Sequence, residues 1–355
     1  MSRAWVTFGR FVYVPRALMA VMLWCPLANS LAEAQSGPPQ AVPAAQPPVR
    51  STIRIYNLKT AKTAEVYKAE GFYEAPSWSA DGKYLQFNGG PAHKLYRMPV
   101  AGGTPEVIDV GDVELNHDQG LSPDGKLYAI SLKGELFVSA PGGKDRRQVT
   151  KPGDIFYLHT WSSDSKWILG TRRFPPGNYD ICRITPDGHQ DERLTSNPAL
   201  DDGPDYTSDG KWIYFNSNRS GGFDIWRMPP SGSGPDDRLA ERVTNDPYED
   251  WFPHPSPDGK WLVFLSYQPG TGEKMALNEY LAKYPEKGIS GYNLSMHPYN
   301  ADVVIRIMPL PGAKIASSRI RTLTRLTGGQ GSINVNSWAP DSNRFAFVSY
   351  EVLSK

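Results

Sequence analysis

Short apolar runs recur along the chain, and several begin just after an Asp-Gly or Asp-Ser pair. The clearest run, Trp261 to Phe264, follows Asp258-Gly259 and one lysine. Asp-Gly favours a tight turn because glycine readily takes a positive φ, and a run of branched and aromatic residues behind it is typical of a strand. The pattern predicts a β-hairpin at this point.

The same unit occurs six times in the chain. Its aspartates are spaced 43, 40, 45, 49 and 83 residues apart. They are Asp81, Asp124, Asp164, Asp209, Asp258 and Asp341. A self-similar unit of about 40–45 residues with four short strands is typical of a β-propeller blade. The sequence therefore predicts an all-β six-bladed β-propeller.

The sixth unit is incomplete, and residues near the N-terminus supply what it lacks. It provides an inner strand before Trp338 and a second strand at Phe345–Val348. The alternating segment Ser51–Asn57 fits a third strand, and Ala64–Tyr67 fits a fourth. We therefore expect residues 51–355 to form one ring closed by its N-terminal strands, which removes an open sheet edge.

The fifth unit is interrupted between its second and third strands by residues 268–301. Within this insert, apolar residues follow the i, i+3, i+4, i+7 spacing of a helix with one apolar stripe, at Leu277, Tyr280, Leu281 and Tyr284. Pro285 and Gly288 are expected to end this helix. We expect the insert to cover part of the channel mouth, with Tyr292 or His297 reaching into it. A plain surface insertion is the alternative.

The first 34 residues have the composition of a secretory signal peptide. Three arginines precede an apolar run at residues 17–28, and Ala32-Glu33-Ala34 offers small residues for cleavage. An uncleaved anchor is the alternative, although the run is short for a membrane span. Residues 35–50, rich in Pro, Ala and Gln, are expected to form a disordered tether. We expect an exported protein, periplasmic or secreted, with no membrane span after cleavage.

Charge and cysteine content exclude two classes of protein. The formal net charge is +1, and removal of residues 1–34 leaves 35 basic and 36 acidic residues, a net of −1. No strongly basic surface therefore argues for nucleic acid. Cys182 would be the only remaining cysteine, so no intramolecular disulfide can form.

We expect a monomer whose partner is an envelope protein or a glycan.

The innermost strands of a propeller line a central channel, and the loops that enter them lie at one mouth. Counting back from each repeat aspartate places many polar residues at these entries. A channel lined for packing alone would have little use for them, because buried polar groups cost free energy unless paired. The candidate ligand-binding residues are Glu74, Asn116, His117, Asp118, Gln119, Tyr157, His159, Asp201, Asp202, Asp205, Trp251, His254, Asn334 and Asn336.

These residues permit more than one interpretation. A hydrated channel whose polar residues satisfy one another is the alternative to a ligand or metal site. If a divalent metal ion binds, the candidate ligands are His117, His159, His254 and Gln119. Their local groups do not have the spacing of a known metal motif such as His-Glu-x-x-His. Trp251 could stack on a sugar ring or simply belong to the packed interior.

The repeat resembles the propeller of TolB-type proteins over residues 51–355. The resemblance is carried by the turn Ser256–Lys260, the strand Asp224–Arg227 and the segment Arg193–Thr195. It implies a six-bladed propeller. TolB itself is periplasmic and works with the Tol-Pal envelope system through protein contacts. TolB also has an α/β domain ahead of its propeller, where this chain has only the expected tether.

The repeat also resembles the propellers of oligogalacturonate lyases. Those enzymes use a metal held by His and Gln, and a basic residue that removes a proton next to a carboxylate. The favoured function is a non-catalytic module that binds a protein or glycan ligand at the channel mouth. The alternative is a lyase-like enzyme acting on acidic polysaccharide. Bound divalent metal, or unsaturated products from polyuronides, would favour the enzyme.

Overall fold

The structure, a computed structural model, describes residues 48–111, 115, 118–143, 145–175, 177–273, 275, 277–310 and 319–353. Apart from short 3-10 turns, these residues form 23 β-strands and two α-helices. The strands make six antiparallel sheets, each of which is one blade of a propeller. The prediction of an all-β six-bladed propeller is confirmed.

The blades follow one another along the chain. The first two strands, β1 (Val49–Asn57) and β2 (Lys62–Glu70), belong to the last blade. Blade 1 contains β3 (Tyr73–Trp78), β4 (Tyr84–Gly89), β5 (Lys94–Pro99) and β6 (Glu106–Val107). Blade 2 contains β7 (Gln119–Leu121), β8 (Tyr128–Leu132), β9 (Glu135–Ser139) and β10 (Arg147–Gln148). Blade 3 contains β11 (Phe156–Trp161), β12 (Ile168–Phe174), β13 (Asn178–Ile184) and β14 (Asp191–Arg193).

The second half of the ring repeats this order. Blade 4 contains β15 (Asp201–Tyr206), β16 (Ile213–Ser217), β17 (Asp224–Met228) and β18 (Glu241–Arg242). Blade 5 contains β19 (Glu249–Pro255), β20 (Trp261–Tyr267), β21 (Ala301–Pro309) and β22 (Arg321–Gly328). Blade 6 contains β23 (Arg344–Val352) together with β1 and β2. Its innermost segment runs beside β23, where Trp338 pairs with Phe345.

The ring closes as the sequence predicts. β1 lies between β23 and β2 and pairs antiparallel with both. N-terminal residues therefore form the third and fourth strands of the last blade. This arrangement joins the two ends of the propeller through backbone hydrogen bonds.

The third strand of blade 6 starts earlier than predicted. Val49 and Arg50 continue the ladder opposite Val352 and Glu351, two residues before the expected start of the propeller at residue 51. The Arg50 guanidinium also lies 3.2 Å from the carboxylates of Glu70 and Glu351. Residues 1–34, expected to be a signal peptide, and residues 35–47 lie outside the described residues.

The repeated aspartates hold the turns between the first and second strands. In blade 5 the Ser256 hydroxyl donates to Asp258 Oδ1 at 2.7 Å, and the Lys260 N–H donates to the same oxygen at 3.1 Å. Gly259 follows with a φ of +67°. These bonds fix the turn that feeds the second strand.

Two of the six turns carry serine where the others carry glycine. Ser165 and Ser342 take φ values of +60° and +55°, which cost a serine more than a glycine. Each hydroxyl accepts a hydrogen bond from the preceding blade, at 3.1 Å from Asp124 N–H and at 3.0 Å from Asp258 N–H. The serines therefore link neighbouring turns around the ring.

The insert of blade 5 forms two helices, α1 (Leu277–Lys283) and α2 (Gly288–Met296). α1 occupies the stretch where the apolar stripe predicts a helix. Gly288, which was expected to end that helix, instead begins a second one, because its φ of +60° turns the chain between the two. No helix of the described residues is long and apolar enough to cross a membrane.

Candidate functional site

A bulge in the inner strands determines which side chains reach the channel. In blade 4 the ladder shifts register between Asp202 and Asp205, and Gly203 inside the shift has a φ of +61°. In blade 5 the shift lies between Trp251 and His254, and Phe252 has a φ of +52°. Bulges re-aim the side chains around them. Here both aspartates of blade 4 contact histidines of neighbouring blades.

His159, in the inner strand of blade 3, connects three blades. Its Nε2 atom lies 3.1 Å from Asp202 Oδ1 in blade 4. Its Nδ1 atom lies 3.2 Å from the backbone carbonyl oxygen of Asn334 in blade 6. Blades 3 and 6 are opposite each other in a six-bladed ring, so this buried side chain spans the channel.

His254, in the inner strand of blade 5, makes an equivalent bridge. Its Nδ1 atom lies 3.0 Å from Asp205 Oδ2, and its Nε2 atom lies 2.6 Å from the carbonyl oxygen of Ile333. The Asn336 amide donates to the same Asp205 oxygen at 2.8 Å. The Trp338 indole N–H donates to the His254 carbonyl at 2.9 Å. Hydrogen bonds at and around the His254 imidazole therefore connect blades 4, 5 and 6.

Both histidines face oxygen acceptors at both ring nitrogens. Carboxylates and peptide carbonyls can only accept hydrogen bonds, whereas a neutral imidazole has a single N–H to donate. Both bonds of each ring therefore form only when the ring is an imidazolium. The geometry favours an imidazolium at His159, beside the Asp202 carboxylate.

The electrostatics of the His159 pair agree with this assignment. Burial disfavours the charged ring, but the hydrogen bond and charge of Asp202, with the charge of Asp118, raise the pKa of His159. Burial also opposes a charge on Asp202, but the hydrogen bond and charge of His159, with the charge of His297, lower the pKa of Asp202. The two shifts have the signs expected for a buried ion pair.

Carboxylates and tyrosines extend this network at one end of the channel. The Asn334 amide donates to Asp118 Oδ1 at 2.5 Å. Burial, followed by the charges of Glu74 and Asp118, raises the pKa of Tyr299 well above its usual value. Burial, followed by the charge of Asp118, likewise raises the pKa of Tyr157. Tyr299 belongs to the end of the insert, outside the repeat, so counting from the repeat aspartates could not find it.

Asp201 does not join the channel network. It precedes Asp202 in the strand, so its side chain points to the opposite face. There Arg219 Nη2 lies 2.9 and 2.8 Å from its two oxygens. Burial raises the pKa of Asp201 to about 6 although Arg219 opposes the shift. Both side chains of this pair are buried.

Trp251 and Gln119 have structural partners. Trp251 is 0% exposed and its ring lies 4.0 Å from that of Phe223, so no face is open to a sugar. Gln119 Nε2 donates at 3.3 Å to the carbonyl of Ala75 and to the hydroxyl of Ser77. Asn116 and His117 lie outside the described residues.

The end of the insert reaches this region. His297 is buried, and its ring meets that of Trp251 edge-on at 4.5 Å. The Tyr299 ring meets Phe72, at the entry to blade 1, at 5.0 Å. Tyr292 instead packs against Tyr280 within the insert. The insert therefore borders the face on which the inner strands begin, as the sequence predicts.

Two of the four residues proposed as metal ligands, His159 and His254, contact neighbouring blades through both ring nitrogens. Within the part of the chain that the structure describes, no three His, Cys, Asp or Glu side chains are arranged to hold a metal ion. His117 lies outside that part.

Comparison with known proteins gives the family. No family model matches the chain. An uncharacterised protein of Agrobacterium fabrum, Atu1656, is 38% identical over 311 residues, which are 85% of this chain and 93% of that protein. The solved structure of a "putative TolB" from Agrobacterium tumefaciens is 37% identical and covers 86% of this chain and 99% of its own, with a TM-score of 0.71. The chain belongs to the TolB-like family of six-bladed propellers.

More distant TolB proteins share the architecture of this TolB-like propeller. TolB from Acinetobacter baumannii is 18% identical, covers 79% of this chain and 64% of its own, and has a TM-score of 0.52. That likeness concerns the fold alone.

Proposed function

We propose that this TolB-like propeller is an exported, periplasmic module that binds a protein ligand at the channel mouth, near Asp202 and Tyr299. The proposal rests on the hydrogen bonds of the channel histidines. His159 and His254 use both ring nitrogens to connect blades. The polar residues at the channel mouth are therefore held in fixed positions. A fixed polar surface favours binding, because little ordering remains to be done when a ligand arrives.

The same observation argues against a catalytic role for these histidines. A general base needs a free lone pair within reach of the proton that it removes. Both ring nitrogens of each histidine here lie within hydrogen-bond distance of carboxylate or carbonyl oxygens. The interpretation that favoured a sugar ligand, stacking on Trp251, loses its support because that ring is buried. A protein ligand is therefore the better proposal.

A photo-cross-linking amino acid at position 300 tests the proposal. Asn300 is exposed and follows Tyr299 at the mouth. In cells that produce the protein, irradiation should give a discrete protein adduct. The control is the same amino acid at Lys166, which is exposed in the blade 3 turn at the other end of the strands. Equal adducts from both positions, or none from position 300, would contradict the proposal.

Two tyrosine substitutions sharpen this experiment. Tyr299→Phe removes only the hydroxyl near Glu74 and Asp118, and should lower the adduct yield at position 300 severalfold. Tyr284→Phe is the matched control within the insert and should leave the yield unchanged.

Purified protein should also release no unsaturated product from polygalacturonate with Mn²⁺. Product that disappears in His159→Gln would make the protein an enzyme instead.

A further inference from the structure

The innermost segment of blade 6 departs from the pattern of the other blades. In blades 1, 3, 4 and 5 the residues eight positions before and after the repeat aspartate lie opposite each other, as Asp201 and Ser217 do in blade 4. The same positions of blade 6 are Ile333 and Ser349. In the described part of blade 6, however, the innermost segment bridges to β23 only at Trp338. The residues before Trp338 have therefore left the ladder.

The inner edge of β23 is left without a partner as a result. Its outer edge pairs with β1, and on its inner edge the Ala346 N–H donates to the Ser337 carbonyl at 2.9 Å. The next two N–H groups on that edge belong to Val348 and Tyr350, because successive N–H groups point to opposite edges. Both residues are buried, and neither N–H has a backbone partner among the residues that the structure describes. Such unpaired N–H groups are rare in folded proteins.

Residues 333–336 lie across the channel instead. Their carbonyl and amide groups contact side chains from blades 2, 3, 4 and 5. These side chains are Asp118, His159, Asp205 and His254. Blades 2, 3 and 4 are not neighbours of blade 6 in the ring, so residues 333–336 can reach them only through the channel.

The channel position has a cost that a ladder would avoid. Ile333 and Asn334 are 0% and 1% exposed, so little space for solvent remains around them. Asn334 Oδ1 is buried and has no hydrogen-bond partner within the described part of the chain. The N–H groups of Val348 and Tyr350 also stay unpaired. Buried polar groups without partners cost free energy, and the bonds of the two histidines must offset that cost.

We propose that residues 330–336 form a plug that exchanges between two positions in the folded protein. In the main position the plug lies across the channel, as described. In a minor position it pairs with β23 as a regular inner strand, with Ile333 opposite Ser349, and the channel is open. The proposal concerns the channel itself and does not depend on which ligand binds at the mouth.

The two histidines stabilise only the channel position. A strand beside β23 cannot at the same time reach His159 in the opposite blade. The carbonyl oxygens of Asn334 and Ile333 therefore give up their contacts with His159 and His254 when the plug moves. Weakening either contact should raise the population of the open position.

A disulfide detects the open position. Residues opposite each other in an antiparallel ladder have Cα atoms about 4.5–5.5 Å apart, a distance that a disulfide spans. Ile333→Cys with Ser349→Cys should therefore cross-link under mild oxidation, measured by mass spectrometry. The matched control is Ile333→Cys with Val348→Cys, whose side chains would lie on opposite faces of the sheet and should stay reduced. Cys182 is buried and should stay reduced in both proteins.

His159→Gln tests the role of the histidine in the same assay. At constant pH it should raise the rate of cross-linking of the Ile333–Ser349 pair at least threefold, because it weakens a contact of the channel position. His189→Gln is the control, since His189 is exposed, and should leave the rate unchanged. Global unfolding would cross-link both cysteine pairs, so the control pair identifies it.

Hydrogen exchange of the protein without added cysteines is a second measurement, in case a cysteine pair does not fold. Amides of residues 330–336 should exchange through local opening, so their rates should not rise in dilute urea. Amides of β8 (Tyr128–Leu132), in the middle of blade 2, should exchange through global unfolding, and their rates should rise.

Four results would overturn the proposal. They are no cross-link in the Ile333–Ser349 pair, equal cross-linking of the two pairs, a rate that His159→Gln does not change, and exchange of residues 330–336 that rises with urea as steeply as that of β8. The last result would mean that the plug moves only when the whole propeller unfolds.

Discussion

His159→Gln tests the idea that a charged imidazole holds the channel together. Glutamine has a similar size and its amide can still donate to Asp202. It cannot carry a positive charge, and it cannot reproduce both bonds of the imidazole at 3.1 and 3.2 Å. The variant therefore leaves the buried Asp202 carboxylate without its cation.

The expected loss of folding stability follows from the two hydrogen bonds of the His159 ring. A hydrogen bond to a charged group contributes about 1.5–3 kcal/mol, and an unpaired buried charge costs more. We expect His159→Gln to lower the free energy of unfolding by about 2–4 kcal/mol near pH 6. For a domain of this size that corresponds to a melting temperature lower by about 4–8 °C.

The loss of unfolding free energy in His159→Gln should depend on pH, and its direction follows from the two pKa shifts. The pKa of His159 is raised in the folded protein, so its contribution is complete below the usual histidine pKa and is lost as pH rises through the folded value. The pKa of Asp202 is lowered, so its contribution is present above the usual aspartate pKa and is lost as pH falls through the folded value. The difference between parent and variant should be largest between about pH 4 and 6.5 and should shrink towards pH 9.

Urea unfolding at pH 5.5, 7 and 9 measures this difference. His189→Gln is the matched control because His189 is exposed, and it should match the parent at every pH. Asp201 and Asp250, whose pKa burial raises to about 6, titrate in both proteins and cancel in the comparison. A difference between parent and His159→Gln that is the same at all three pH values would refute the charged bridge.

Three further results are expected. Deletion of residues 49–57 removes the strand between β2 and β23 and should give aggregated protein; soluble protein with the parental melting temperature would disprove the closure. Gly170→Ala should destabilise by about 1–3 kcal/mol, because the added Cβ would lie 2.2 Å from the Tyr157 carbonyl oxygen, and more than Gly120→Ala, whose Cβ would lie no closer than 3.4 Å to another atom. Deletion of residues 272–296 should lower adduct formation at position 300 while the melting temperature falls less than in Gly170→Ala. Unchanged adduct formation with a larger fall in melting temperature than in Gly170→Ala would make the insert a structural element.

The repeat was predictable because its signals are local. Each Asp turn is specified by a few neighbouring residues, such as Ser256, Asp258 and Gly259. Counting from those turns also identified His159, Asp202, Asp205, His254 and Asn334 as neighbours of the channel. Because each turn is specified by its own residues, counting back from its aspartate locates the residues at the start of each inner strand.

Other features depend on geometry that sequence spacing does not show. The bulge after Asp202 lets Asp202 and Asp205, three residues apart, both face histidines of the channel. The burial of Trp251 depends on Phe223 and on His297 from the insert. Helix α2 was not predicted, because a segment with Gly288 and Gly291 has no apolar stripe. Bonds across the ring, such as that from His159 to Asn334, join residues 175 positions apart.

The charge state of the His159 ring tests the central claim most directly. Nitrogen-15 chemical shifts of histidine-labelled protein distinguish a protonated ring nitrogen from a bare one, and His159→Gln assigns the signals. We predict that at pH 6.5 both His159 nitrogens carry protons, as a bridge between Asp202 and the Asn334 carbonyl requires. A neutral ring with one bare nitrogen at that pH would contradict the account and leave His159 free to act as a base or a metal ligand.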